Sequence, residues 1–413
     1  MKVSIIMGRG IEGCGVTKFT VEQTKWLEKN GHEYTVYASS DKNWTRKKSH
    51  EMKGVVELKF TDVAAVDNMI AGCNASDVVI VNSLPSARSE ASSHISKGHP
   101  ELAVNEFKRA IEQINRPMTL IQHDHSSIAI RRNAGLNECV EKAAALFGHS
   151  PMNDFARMIA PDQGGLQDFL GDDTPIRTVT SFQPGIDFDS LRAKYWKPIT
   201  EQDARHNKWI GRTTPWKGYK QMFKFHNEHL TPAGYMTTFE GIEKSPAYIM
   251  FRQLSPFNPH LTGPTIAAVD LSNAYGDLAY VFGPYVNDAM LERMSRVGFG
   301  YQLSLLDARY IHRSIEYTHC EVVCTGAIPV FRKKYGERCT HRKHGDKLID
   351  CKNTGTIWLD DDDMLPAFQL LDKLAKDDAM RDDYREQAFE FYRDHQDSEY
   401  TFAEMMTTIK GTL

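Results

Sequence analysis

An apolar, β-rich run, Val3-Ser4-Ile5-Ile6-Met7, breaks into Gly8-Arg9-Gly10-Ile11-Glu12-Gly13-Cys14-Gly15-Val16-Thr17-Lys18-Phe19, with four glycines in eight residues. A strand that ends in glycine and resumes as a helix leaves few folds open. Glycine admits positive φ and close approach to the backbone, and the first turn of a helix offers unpaired N–H groups and a positive dipole end to an anion. The stretch therefore reads as a phosphate cradle after the first strand of an α/β sheet. Gly8, Gly10 and Gly13 fit the G-x-G-x-x-G of dinucleotide folds. However, the nearest acid after the second strand, Asp41, is poorly placed for a ribose. Gly10 and Gly15 have P-loop separation, but Val16 stands where that loop needs lysine and Lys18 is two positions late. A purely structural glycine turn stays open beside both.

At 413 residues the chain exceeds one ordinary core, and two α/β domains of about 200 residues are the natural division. No apolar run approaches the roughly 18 residues of a membrane span, and no basic-then-apolar leader is expected at the start. Seven cysteines without CxxC pairs indicate reduced thiols. A net charge of −4 does not advertise a nucleic-acid binder, although a local footprint can exist without a basic total. One such cluster is Lys42, Arg46, Lys47 and Lys48 around Trp44, read either as a solvated loop or as a phosphate-backbone contact.

Strand and helix patterns alternate through the chain. Helix one runs from Thr17 to Lys29, with Phe19, Val21, Trp26 and Leu27 as its apolar face and Asn30-Gly31 as its stop. Strands are expected at Tyr34–Ala38, Val55–Phe60, Val78–Val81, Met118–Ile121, Leu146–His149 and Ile176–Val179, with a helix at Glu101–Ile114. A second series follows Pro184-Gly185. It has strands at Lys208–Gly211, Tyr235–Phe239, Leu278–Phe282, Ile328–Val330 and Thr356–Leu359, and helices at Asn287–Arg296, Arg313–Cys324 and twice between Asp362 and Phe391. Such alternation argues for parallel, doubly wound sheets. Ligands then sit beyond the strands' carboxyl ends, which lines up the Gly8–Val16 turn, Asn82, His123-Asp124-His125 and His149.

Three constellations carry chemistry. Arg212 and Lys217 flank a strand-to-helix turn with Gly211, Trp216 and Gly218, and two cations beside a helix start suit a diphosphate. Glu316 and Glu321 lie on a helix that stops at Gly326, and a carboxylate can accept from two vicinal ribose hydroxyls. His123-Asp124-His125 leaves a strand end and is read as a polar substrate contact rather than a metal site. Cys339, His341, His344 and Cys351 could ligate zinc, but their spacings match no common zinc pattern and no metal is expected.

Together these residues resemble the DNA α-glucosyltransferases of T-even bacteriophages over nearly the whole chain. The likeness is densest in Gly8–Phe19, Gln122–Ser126, Trp209–Gly218, Leu291–Ser304 and Arg313–His319. It implies a GT-B fold, two Rossmann-like, doubly wound α/β domains facing a cleft. The expected divisions are residues 1–187 (acceptor and DNA side, donor loop), 188–395 (UDP-sugar binding) and 396–413 (a helix returning to the first domain). It implies transfer from a UDP-sugar to 5-hydroxymethylcytosine in double-stranded DNA, with retention at the anomeric carbon, by a monomer in the cytoplasm of the infected bacterium. No cofactor beyond the UDP-sugar co-substrate and no membrane partner is expected.

The resemblance also assigns residues. Gly13, Gly15 and Val16 match the loop facing the donor diphosphate, Arg212 and Lys217 the diphosphate pair, and Glu321 the ribose ligand. Tyr301, within the Gly298–Ser304 match, is placed at the donor. His123 and Asp124 match the reaction centre. The wider superfamily's second glutamate falls on Arg313, and Glu316, lying between, is counted with the catalytic groups. Asp124 either acts as a nucleophile or, as preferred, orients the acceptor while a leaving phosphate oxygen takes its proton. The target base must flip out of the duplex, with phosphate contacts from Lys42, Arg46, Lys47, Lys48, Arg131 and Arg132. The donor is UDP-glucose or a UDP-pentose such as UDP-arabinose. A GT-B enzyme acting on a small molecule or glycan is the alternative.

Overall fold

The structure is a computed structural model. It describes residues 1–10, 15–40, 52–85, 100–122, 134–148, 179–181, 185–211, 218–240, 279–282, 287–303, 317–332, 354–411 and 413. The chain divides into two compact units, Met1–Gly185 with Ser398–Leu413, and Ile186–Asp397.

The first unit holds β1 (Lys2–Met7), β2 (Glu33–Ser39), β3 (Val55–Leu58), β4 (Val78–Ser83), β5 (Met118–Gln122), β6 (Ala143–Gly148) and β7 (Val179–Ser181). Their order is β3-β2-β1-β4-β5-β6-β7, with every pairing parallel. Val3, Ile5, Ile6 and Met7 are all buried, as are Val78 to Val81, so these central strands are covered on both faces and read as unbroken apolar runs rather than alternations. Helices α1 (Gly15–Lys29), α2 (Val63–Asn74), α3 (Glu101–Gln113) and α4 (Leu136–Lys142) follow strands in turn. On one face, α2, α3 and α4 bury Val66, Met69, Phe107, Ile111 and Val140 against Ile6, Val79, Val81 and Leu120. The Asp62 side chain caps α2 by accepting from the amides of Ala64 and Ala65.

The second unit repeats the plan. Its strands are β8 (His206–Ile210), β9 (Met236–Glu240), β10 (Ala279–Phe282), β11 (Phe299–Gln302), β12 (Ile328–Arg332) and β13 (Ile357–Leu359), in the order β10-β9-β8-β11-β12-β13 and all parallel. Its helices are α5 (Phe188–Tyr195), α6 (Glu201–Ala204), α7 (Tyr219–Phe225), α8 (Asn287–Met294), α9 (Tyr317–Cys324), α10 (Leu365–Lys376) and α11 (Asp378–Gln396). Strand β11 has no counterpart among the expected strands. Glycine weakens a strand pattern, and here it serves packing: a Cβ on Gly300 would stand 2.5 Å from Val322 Cγ1 and 3.1 Å from Met294 Sδ, on α9 and α8.

In both sheets the strand order reverses direction beside the first strand, between β1 and β4 and between β8 and β11. Open α/β sheets bind ligands at such switch points, beyond the carboxyl ends.

The last helix, α12 (Ser398–Lys410), belongs to the first unit and packs on α1. Phe402 meets Phe19 edge-on at 5.2 Å, and the Trp26 indole donates to Glu399 at 3.1 Å. Thr17, Lys18, Thr20, Gln23 and Thr24 are buried along with the expected apolar face, Thr20 and Gln23 against Asn82 of β4, so α1 is enclosed far beyond its amphipathic pattern.

Candidate functional site

The first switch point is built around Gly8 and Gly10. The Gly8 amide donates to the Ser83 carbonyl at 2.8 Å, and that of Arg9 to Ser83 Oγ at 3.3 Å. A Cβ on Gly8 would stand 2.5 Å from the Pro85 nitrogen; on Gly10, at φ +78°, it would meet the Ser39 carbonyl at 2.0 Å. These two glycines are required where the end of β1 passes the ends of β4 and β2. Gly15 and Val16 open α1, exposed and partly exposed respectively.

At the second switch point the described residues are Gly211, after β8, and Gly218, before α7. The Gly211 amide donates to the Glu240 carbonyl at 3.0 Å. Gly218, at φ +69°, precedes α7 so closely against β11 that a Cβ would lie 2.2 Å from the Leu303 carbonyl oxygen. Residues 212–217 span these anchors and lie outside the described residues, Arg212 and Lys217 among them. Gly13, Lys42, Arg46, Lys47, Lys48, His123, Asp124, Arg131, Arg132, His149, Glu316, Cys339, His341, His344 and Cys351 also lie outside.

Glu321 sits on α9 with 4% of its surface exposed. The helix ends at Gly326, φ +82°, whose carbonyl accepts from Arg385 Nε at 2.6 Å. Arg385 is itself buried, lies over the Trp196 ring and donates to the Lys197 carbonyl at 2.6 Å, so a cation closes the negative end of the helix that carries Glu321.

Tyr301 lies in the core of the second unit. Strand alternation turns it, with Phe299, into the core beneath α7 and α10, where it is 0% exposed. Its hydroxyl donates to Asn207 Oδ1 at 2.6 Å, and burial raises its pKa well above the ordinary phenol value. It braces β11 against β8.

Sequence reasoning missed the charged groups buried near the strand ends. Lys208 Nζ lies 2.6 Å from Glu240 Oε2, and Arg293 donates to both oxygens of the same carboxylate, through Nε at 3.3 Å and through Nη2. Lys208 and Glu240 are 1% and 0% exposed, and burial, partly offset by Glu240, lowers the lysine to about 8. Arg332, last in β12, pairs through Nε with Asp361 at 2.7 Å and is lowered to about 10 by burial. A lysine inside an apolar strand, as in Asn207-Lys208-Trp209-Ile210, was the available signal. Among the described residues, no group of three or more His, Cys, Asp or Glu is arranged to hold a metal ion, and no helix is long and apolar enough to cross a membrane.

Comparison with known proteins gives consistent matches. The sequence model of a family described as DNA alpha-glucosyltransferase matches residues 14–379. The DNA alpha-glucosyltransferase of Enterobacteria phage T4 is 39% identical over 415 residues, spanning 99% of this chain and 100% of that protein. A solved alpha-glucosyltransferase in complex with UDP-glucose and DNA containing an abasic site superposes with a TM-score of 0.83 at 38% identity, over 99% of each chain. Anabaena HepE in complex with UDP and glucose shares only the fold, with a TM-score of 0.62 at 10% identity over the whole of both chains.

Proposed function

The chain belongs to the DNA α-glucosyltransferase family and has the GT-B fold, and on that premise we propose that it transfers glucose from UDP-glucose to 5-hydroxymethylcytosine in double-stranded DNA with retention of anomeric configuration. One observation carries the reading. A relative 38% identical along 99% of each chain was solved holding both UDP-glucose and DNA. An enzyme specific for small glycans would have no use for the second of these.

In this reading the hydroxymethyl oxygen of a flipped cytosine bonds to the sugar C1 as the bond from C1 to the UDP oxygen breaks. Its proton passes to the departing phosphate oxygen on the same face. Negative charge grows on UDP, and Arg212, Lys217 and the amides of Gly13, Gly15 and Val16 stabilise it. Preorganised charge of this kind is usually the largest catalytic term. Glu321 accepts from the ribose hydroxyls, while Asp124 orients the acceptor and, with His123 and Glu316, steadies positive charge on the sugar. Lys42, Arg46, Lys47, Lys48, Arg131 and Arg132 hold the DNA backbone, and the base leaves the stack because its reacting group is otherwise out of reach. The protein works in this reading as a monomer in the infected bacterium's cytoplasm.

The test is to incubate the protein with hydroxymethylated or unmodified duplex DNA and UDP-glucose or UDP-arabinose, then digest and weigh the nucleosides. A hexose increment confined to hydroxymethylated DNA, with an α linkage by NMR, is expected. A pentose increment instead would overturn the glucose assignment, and no increment on DNA would overturn the acceptor.

A further inference from the structure

At the first switch point β4 carries a bulge. Ile6 pairs with Val81, but Met7 pairs with Ser83, so Asn82 is the extra residue. Bulges bend a strand and re-aim a side chain, and here the amide is delivered into α1. Asn82 is 0% exposed, and its Nδ2 donates to Thr20 Oγ1 at 3.0 Å and to Gln23 Oε1 at 2.8 Å. Each partner passes the contact on. The Thr20 hydroxyl donates to the Val16 carbonyl at 3.0 Å, and Gln23 Nε2 meets Met405 Sδ on α12 at 3.7 Å. A single amide thus ties the bulge to the first turn of α1 and to the helix that covers it.

The asparagine satisfies two buried acceptors on α1 but carries a cost of its own at this point. Its Oδ1 is buried with no hydrogen-bond partner among the described residues, a cost that an apolar side chain of similar size would not carry. What the asparagine does supply is orientation, because its two donors fix the rotation of Thr20 and Gln23 about the α1 axis.

We propose that Asn82 is a positioning residue for sugar transfer: through the Thr20 hydroxyl it sets the Val16 carbonyl, and with it the amide groups of the first turn of α1 that face the donor. The proposal rests on the donor role given above to Gly15 and Val16. Misplacement of a preorganised group by an ångström costs on the order of 100-fold in rate.

Thr20→Val keeps the shape of the side chain and removes only the hydroxyl that links Asn82 to Val16; Thr20→Ser restores the hydroxyl, and Asn82→Leu removes the amide. We expect Thr20→Val and Asn82→Leu each to lower kcat by about 10-fold to 100-fold, with the KM for DNA unchanged. Asn82→Leu also takes the donor from the buried Gln23 Oε1 and should melt below the parent, so rates are compared well below both melting points. Thr20→Ser should recover most of the rate, and the double variant should be no worse than either single one, because the two residues form one linkage. Parent-like kcat in Thr20→Val, multiplying losses in the double variant, or a rate loss that merely follows a lowered melting point would each overturn the proposal. If the parent protein itself transfers no sugar to DNA, it is the function that fails rather than the positioning role.

Discussion

Gly218 joins the expected diphosphate turn to α7, and replacing it with alanine perturbs that joint in a way the structure quantifies. Two costs act at once. The residue has φ +69°, and an L-residue in the left-handed region costs about 1–2 kcal/mol. The new methyl would also stand 2.2 Å from the Leu303 carbonyl oxygen and 2.5 Å from Leu303 Cβ, so the turn and the end of β11 must part by about an ångström. Overpacking of that kind adds about 1–3 kcal/mol. Gly234 is the internal control. It lies in the same unit at φ +77°, with nothing within 4 Å of its would-be Cβ. Gly234→Ala therefore meets only the first cost, and the entropy that alanine removes from the unfolded chain is common to both variants. Urea denaturation followed by tryptophan fluorescence, with Trp209 buried in the same unit, should find Gly218→Ala less stable than Gly234→Ala by about 1–3 kcal/mol. The KM for UDP-glucose should rise about 10-fold or more in Gly218→Ala alone. Equal destabilisation, or an unchanged donor KM in Gly218→Ala, would refute the argument that this glycine sets the distance between the turn and β11.

Two further outcomes follow from buried charge in the second unit. His206 Nε2 lies 2.7 Å from Thr238 Oγ1, and burial first, Lys208 second, pushes its pKa from 6.5 to about 4. The unfolded chain thus binds the extra proton between those values. Unfolding free energy should fall as pH drops from 6.5 towards 4, by at most about 3 kcal/mol, and the difference between parent and His206→Gln melts should trace that window; no difference would refute it. Glu240→Gln leaves Lys208 buried beside Arg293 without its carboxylate and should cost about 3–5 kcal/mol in denaturant melts. Lys208→Met leaves Glu240 paired with Arg293 and should cost less; the reverse order would refute the shared-carboxylate reading.

What could be read from the sequence depended on whether a residue's neighbours lie along the chain. Strands β1 and β4 are legible because burial on both faces makes them nearly continuous apolar runs. The stop of α9 is legible because Gly326 is a local conformational requirement. Strand β11 was lost because Gly298 and Gly300 break its pattern, and the reason for Gly300 is Val322, on a helix that packs across it. Thr20 and Gln23 of α1 look solvent-facing in sequence, but their partners come from elsewhere in the chain, Asn82 on β4 for both and Met405 on α12 for Gln23. The Lys208–Glu240–Arg293 cluster joins two strands and a helix, so the lysine within β8 is its one local sign and its partners have none. The burial of Tyr301 was not legible either, because likeness over Gly298–Ser304 marks a stretch, whereas the packing of β11 decides where each of its side chains goes. Glu321 was singled out only by its distance from Gly326 and by the family pattern; nothing in its own helix distinguishes it from a solvent-facing glutamate.

The glycine-rich opening shows why a fingerprint can be genuine and still name the wrong ligand. A parallel sheet that reverses its winding must let the end of its first strand pass the ends of two neighbours, and those crossings leave no room for a Cβ at Gly8 or Gly10. The first two glycines of G-x-G-x-x-G are thus explained without any dinucleotide. The second sheet, wound in the same order, meets the same constraint at its own switch point, where Gly218 is pressed against Leu303 after a stretch of sequence with no G-x-G at all. Winding dictates where glycine is required, and the cations and carboxylates around the turn dictate what binds. In this chain Arg212, Lys217 and Glu321, the residues proposed for the diphosphate and the ribose, all fall in the sequence span of the second unit, whereas the motif that first suggests a nucleoside diphosphate falls in that of the first.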